Sequence, residues 1–219
     1  MGTEIATTPS VVIRAISVSS MDNNVYLLTS RSSGRQILID AADDAPAIAG
    51  LLAEAGMDGP APGVELIITT HRHGDHLRAL APMVMATRAL AVAGSADAES
   101  ITEQTGVAID KAVYHGEVIE VPGIRLDVIG LRGHTPGSIA LAYAEDVQPV
   151  HLFTGDSLFP GGVGNTDRDP ARFTSLLNDV IERVFAVYGD DARVHPGHGK
   201  PTTLGVERPL LEQWRVRGW

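Results

Sequence analysis

Apolar residues recur along this chain in runs of strand length, and between them lie stretches whose apolar positions fall three and four apart. Residues 11–17, 25–30 and 36–40 read as strands, with Ser32-Ser33-Gly34 turning between the last two. Asp44-Ala45-Pro46 then predicts a helix start, an N-cap followed by proline in the first turn. Its apolar stripe is Ile48, Leu51, Leu52 and Ala55, with Gly56 as the expected stop. Residues 64–69 form a short buried strand, followed by a helix over 77–87, a strand over 89–93 and a helix over 96–105. A hairpin is expected from residues 117–121 and 124–131 around Pro122-Gly123, then strands at 138–143 and 150–154. Asp169-Pro170 opens the clearest helix, whose stripe runs Phe173, Leu176, Leu177, Val180, Ile181, Val184 and Phe185 before Gly189. Residues 192–195 are a last short strand. Strands interleaved with amphipathic helices imply an α/β protein whose sheets are covered by helices.

Length and composition narrow the function classes. A chain of 219 residues holds one sizeable core, and no linker, repeat or charge block divides it, so residues 1–219 are expected to form a single domain. A formal net charge of −10 argues against nucleic acid or an anionic membrane as partner and leaves a small-molecule substrate. Cysteine is absent, which removes disulfides, thiolate nucleophiles and Cys-based metal sites together. The first residues carry no basic and apolar leader, and no apolar run has the length of a membrane span. The expectation is a cytoplasmic protein. Trp214 and Trp219 in the tail are expected to pack on the body of the protein or on a second subunit.

The candidate chemistry lies at strand ends. The strand over 64–69 runs into His71, His73, Asp75 and His76; the strand over 124–131 into Gly133-His134-Thr135-Pro136-Gly137. The strand over 150–154 is followed by Gly155-Asp156-Ser157, and that over 192–195 by Pro196-Gly197-His198-Gly199. Four loops, each with glycine beside a ligand-type residue, converge if their strands end on one edge of a sheet assembly. Neutral imidazoles and carboxylates suit zinc and other borderline divalent cations. Five histidines and two aspartates exceed one tetrahedral shell, and they fit two metals about 3.5–4 Å apart. One such grouping puts His71, His73 and His134 on the first metal, Asp75, His76 and His198 on the second, and Asp156 between them. His115, His151 and His195 fall outside the pattern and are expected to be structural or surface residues.

His71-x-His73-x-Asp75-His76, with Gly-His134-Thr-Pro-Gly, Thr-Gly-Asp156 and Pro-Gly-His198-Gly, resembles the metallo-β-lactamase superfamily. The resemblance covers nearly the whole chain. It implies a four-layer αββα sandwich with two divalent metals at one edge, zinc foremost and iron or manganese as alternatives. It also implies the seven ligands grouped above, with Asp75 and Asp156 as the carboxylates nearest the chemistry. Residues 21–28 and 153–159 look most like the glyoxalase II group, which hydrolyses thioesters of glutathione. The group's Gly-Cys-Gly-Arg loop appears here as Gly162-Val163-Gly164-Asn165, and only 21 residues follow His198, too few for the group's C-terminal helical domain. The expectation is therefore a hydrolase of a small thioester or ester without selectivity for glutathione, acting through a hydroxide held between two metals. Alternatives within the resemblance are a lactonase and a persulfide dioxygenase, the latter with one iron on His71, His134 and Asp156. Leu158, Phe159 and Asn165 are expected to line the mouth, and Lys200 to attract a substrate carboxylate.

Overall fold

The strand Asn23–Ser30 is buried at every position, which requires cover on both of its faces. A computed structural model describing residues 2–146 and 149–218 supplies that cover. Strands β1 (Thr3–Thr7), β2 (Val11–Val18), β3 (Asn23–Ser30), β4 (Arg35–Ile39), β5 (Gly63–Thr69), β6 (Leu90–Gly94) and β7 (Lys111–Val113) form one sheet in sequence order. Pairing is antiparallel from β1 to β4 and parallel from β4 to β7. The second sheet contains β8 (Val118–Val121), β9 (Ile124–Gly130), β10 (Ile139–Tyr143), β11 (His151–Gly155), β14 (Arg193–Pro196) and β15 (Thr202–Thr203). Its order is β15-β14-β11-β10-β9-β8, and β11 pairs with β14 in parallel. Between β11 and β14 in the chain lies a small ribbon of β12 (Leu158–Phe159) and β13 (Gly162–Val163).

Side-chain alternation divides the core into three slabs. Ile13, Tyr26, Leu28, Ile37 and Ile39 of the first sheet meet Leu126, Val128, Ile139, Leu141 and Phe153 of the second. The opposite face of the first sheet, with Val25, Leu27, Leu38 and Ile67, packs on helices α1 (Ala45–Glu54), α2 (Leu80–Thr87) and α3 (Ser95–Thr105). The outer face of the second sheet packs on α4 (Pro170–Val180) and, through Leu204 and Trp214, on α5 (Leu204–Glu207) and α6 (Leu211–Arg217). Helix, sheet, sheet, helix is the expected four-layer αββα sandwich. Trp219 lies outside the described residues. Among the described residues no helix is long and apolar enough to cross a membrane.

Local departures from the sequence pattern have physical causes. Asp44 does cap α1, accepting from the Ala47 N–H at 3.1 Å, but a 3-10 turn over Ala55–Met57 carries the chain past Gly56. The stripe through Phe185 is also not one uniform helix. After α4 the chain widens into a π turn over Ile181–Phe185, where the Ala186 N–H reaches Ile181 O. The His73-to-His76 stretch that reads as loop contains a 3-10 turn over Gly74–His76.

Candidate metal centre

β5, β9, β11 and β14 deliver their C-terminal ends to one edge of the sandwich, and the seven predicted residues sit there. Ligand atoms of His71, His73 and His134 all lie within 4.8 Å of one another, as do those of His71, His76 and Asp156, and those of Asp75, His76 and His198. Asp156 belongs to both halves of the cluster: Oδ1 lies 3.4 Å from His76 Nε2, and Oδ2 lies 3.6 Å from His134 Nε2 and 3.5 Å from His198 Nε2. Asp75 Oδ2 lies 3.2 Å from His198 Nε2 and 3.6 Å from His76 Nε2. His73 is the most open member of its trio, and His71 and His134 are buried.

Hydrogen bonds around the rim fix which nitrogen of each ring faces inward. Thr70 Oγ1 donates to Asp40 Oδ2 at 2.8 Å, so it can accept from His71 Nδ1 at 3.1 Å. His76 Nδ1 meets the same Asp40 oxygen at 2.9 Å. His134 Nδ1 donates to Asn165 O at 2.7 Å and His198 Nδ1 to Met21 O at 2.8 Å. In all four rings Nδ1 is taken by a rim acceptor. His76 and His198 present Nε2 to each other at 3.1 Å. In His71 and His134, which burial keeps neutral, the Nε2 lone pair is left directed at the cluster. The consequence is a set of orphans: His71 Nε2, His134 Nε2 and Asp156 Oδ1 are buried without a hydrogen-bond partner. Buried polar atoms are ordinarily paired. Three orphans converging beside two carboxylates fit divalent cations, in donor type and in number.

Charge is distributed unevenly across the centre. Burial, reinforced by His76, holds the His71 pKa well below its ordinary value, and burial likewise lowers His134. Both are therefore neutral at pH 7 and ready to donate lone pairs. For His76 burial opposes the charge, but Asp40 and Asp156 outweigh it and push the pKa up to about 10. Hydrogen bonding to Asp156 raises His198 against its own burial. Burial disfavours the Asp156 carboxylate, yet His198 and His76 hold it far below the usual range; Asp75 is lowered too, against burial, by Asn23 and His76. One half carries the neutral His71 and His134 imidazoles, and the other is a hydrogen-bonded ionic cluster.

Close approach explains the glycines. A Cβ on Gly197 would lie 2.2 Å from Asp156 Oδ1 and 2.8 Å from His76 Cε1, and one on Gly164 would lie 1.7 Å from Asp156 O. Several supporting residues were not singled out from the sequence. Asp40, at the end of β4, also accepts from the Thr70 N–H at 2.7 Å. Asn23 donates to Asp75 Oδ2 at 2.9 Å. Fully buried Asp97 accepts from the Arg72 and Gly137 N–H groups and from Thr135 Oγ1, tying the His71 loop to the His134 loop. Asp40 carried a signal, being a carboxylate that ends an apolar run; Asp97 lies within a helix pattern and carried none.

The expected substrate residues separate. Phe159 and Asn165 line a groove of about 880 Å³ beside the centre. Leu158 does not reach it: the side chain is fully buried with Leu176 and Leu177 in the slab under α4, because adjacent strand residues face opposite ways. Lys200 is exposed and is not part of the groove wall. His151 and His195 form a buried stacked pair, Nδ1 to Nε2 at 2.9 Å, away from the cluster, while His115 is exposed.

Comparison with known proteins agrees with this geometry. The sequence profile of the metallo-beta-lactamase superfamily matches residues 21–198, and the chain belongs to that superfamily. A hydroxyacylglutathione hydrolase of Pseudomonas entomophila (strain L48) is 37% identical over 65% of this chain, but the match spans only 50% of that relative's length. Hydroxyacylglutathione hydrolase GloC of Haemophilus influenzae is 28% identical over 90% of this chain and 94% of its own. Among solved structures, TTHA1623 in a di-iron-bound form has a TM-score of 0.67 at 28% identity, covering 89% of this chain and 96% of that one.

Proposed function

We propose that the chain is a metal-dependent hydrolase of small thioesters or esters. The observation that carries this reading is the pair of adjoining donor sets sharing Asp156. His71, His73 and His134 would hold one cation and Asp75, His76 and His198 the other, with Asp156 common to both. Imidazole and carboxylate donors suit zinc best, and the di-iron form of the related TTHA1623 keeps iron as the alternative. Two such cations supply Lewis acidity toward a carbonyl oxygen and bring the pKa of water toward neutrality.

The chain's own residues supply orientation and exclusion of bulk water. Asp75 and Asp156 are ionised at neutral pH and act as fixed acceptors of hydrogen bonds. Their low proton affinity makes them poor general bases. Asn23 fixes Asp75, and the Thr70–Asp40 link fixes His71 and His76. The groove beside Asn165 receives the substrate, with Phe159 on its apolar side. Hydrolysis forms one C–O bond, breaks the C–S or C–O bond of the ester, and releases a carboxylate, a thiol or alcohol, and a proton. The relatives named hydroxyacylglutathione hydrolase support a thioester.

The test is kcat/KM at fixed metal loading for lactoylglutathione, an acyl thioester of a smaller thiol, a simple lactone and a penicillin. The small thioester is expected to exceed the lactone and the penicillin, with no strong advantage for lactoylglutathione. A lactone or penicillin as best substrate overturns the reaction class. Oxygen uptake with a persulfide and a single iron moves the assignment to the dioxygenase.

A further inference from the structure

The size of the 880 Å³ groove falls within the range typical of small-molecule sites. One wall is the β12–β13 ribbon with the segment that follows it to Arg168; the other includes Arg217 and Gly218 at the end of α6. The ribbon is fixed in place. Buried Glu207 accepts from the Gly161 N–H at 2.8 Å and from Thr202 Oγ1 at 2.7 Å, and Arg217 donates to Gly161 O at 3.1 Å. At its inner end the groove adjoins the metal centre, since Asn165 O accepts from His134 Nδ1 and Gly164 lies against Asp156.

Its charge is the unexpected feature. In a chain of net charge −10, the groove wall carries Arg168 and Arg217 and no acidic side chain. The acids nearest in sequence are engaged elsewhere. Asp167 pairs with Arg172 at 2.5 Å, and Asp169 caps α4 through the Ala171 and Arg172 N–H groups. Arg168 is exposed and stands in the left-handed backbone region at φ 57°, immediately after Asp167 at φ 56°. Phe159, Pro160 and Val163 give the same groove an apolar side.

We infer that this groove selects substrates bearing a carboxylate a few carbons from the scissile carbonyl, with Arg168 as the residue that recognises it. A guanidinium presents a planar fork that matches a carboxylate in two hydrogen bonds. The apolar side takes the intervening methylenes, and the length of the groove sets their number. The inference rests on the hydrolase reading above for the carbonyl, and on the groove alone for the carboxylate. The carboxylate can sit on the thiol side or on the acyl side of the substrate, and the test separates the two.

Four thioesters suffice: S-acetyl-3-mercaptopropionate, the succinyl thioester of 2-mercaptoethanol, S-acetyl-2-mercaptoethanol and acetylthiocholine. Wild-type kcat/KM is expected to favour one of the two anionic substrates over the neutral one by about fivefold or more, the scale of one partly exposed ion pair. The cationic substrate should rank last. Arg168→Gln should bring the anionic-to-neutral ratio close to one, and Arg168→Lys should restore part of the ratio. Both variants have the same unfavourable left-handed backbone as the arginine, so neither adds a folding penalty of its own. A ratio unaltered in Arg168→Gln, or a wild-type preference for the neutral or cationic thioester, overturns the inference.

A calorimetric comparison of 3-mercaptopropionate with 2-mercaptoethanol on the metal-loaded protein reads the groove without turnover. With a thiol-side carboxylate the acid should bind at least about fivefold more tightly in wild type, and the difference should vanish in Arg168→Gln. If no thioester is hydrolysed but this difference is found, the hydrolase reading fails and the anion site stands. Equal binding of the two thiols rules out a thiol-side carboxylate, and it overturns the inference unless turnover favours the succinyl thioester in wild type and not in Arg168→Gln.

Discussion

Replacing Asp40 by Asn changes one atom at the rim of the centre and touches no predicted ligand atom. Asp40 is buried and receives three hydrogen bonds, from the Thr70 N–H, Thr70 Oγ1 and His76 Nδ1. Its φ of 56° is one that asparagine tolerates as well as aspartate, so backbone strain does not contribute. The amide oxygen must stay opposite the Thr70 N–H, which places the NH₂ opposite His76 Nδ1. That nitrogen then accepts instead of donating, and the ring proton moves to Nε2, the atom that faces Asp75, Asp156 and His198.

Two costs follow. Partners that orient a metal-ligating histidine are worth about 10–100-fold in affinity, or roughly 1.4–2.7 kcal/mol. The metal-free fold also loses a charge-assisted bond, about 1.5–3 kcal/mol. The assay is competition with a chromophoric zinc chelator at pH 7.5, together with urea unfolding of the metal-free protein. Asp40→Asn should weaken the tighter-linked cation at least about tenfold and lower the unfolding midpoint. Affinity within a factor of about two of wild type would refute the assignment of Asp40 as the group that sets the His76 tautomer.

Asp156→Ala should weaken both cations together and abolish turnover, because its oxygens face both donor sets; the exposed His115→Ala serves as control and should leave metal content unchanged. Gly197→Ala should disrupt metal uptake with a normal overall fold by circular dichroism, since the added methyl has no room beside Asp156 and His76; full metal occupancy in that variant would contradict the packing. Acid should destabilise the protein through His151 and His195, whose pKa values burial depresses to about 4 and about 3. Both are neutral when folded and take up protons when unfolded below about pH 6.5, so this stability is complete above that pH and is lost as pH falls toward 4. The loss at pH 5 is about 2 kcal/mol from His195 alone. Urea midpoints measured from pH 7.5 to 5 should fall less steeply in a His151→Gln/His195→Gln double variant, and an unchanged slope would exclude the pair as its source.

The strands that carry the chemistry were legible because each sets apolar positions, alternating in β9 and nearly unbroken in β5, within a few residues of a ligand-type side chain: β5 before His71, β9 before His134, β11 before Asp156 and β14 before His198. Elements without that contrast went unread. β1 is a half-exposed edge strand, β7 and β15 are too short to show a period, and the β12–β13 ribbon is two residues on each side. The C-terminal helices α5 and α6 anchor mainly through Leu204 and Trp214, too few positions to define a stripe. At the site, the residue types and strand ends were visible, but the rim was not. Asp40 meets Thr70 across 30 positions and Asp97 meets Thr135 across 38, and only the folded chain brings such partners together. Leu158 is expected at the mouth as the first residue of the segment running to Arg168, but its side chain lies in the slab under α4.

Metal stoichiometry addresses the shared Asp156 arrangement most directly. Metal-free protein titrated with zinc at pH 7.5, followed by elemental analysis and by thioester turnover at each point, should saturate near two equivalents per chain. Turnover should rise mainly with the second. Saturation at one equivalent, with full activity already reached there, would contradict a two-cation hydrolase.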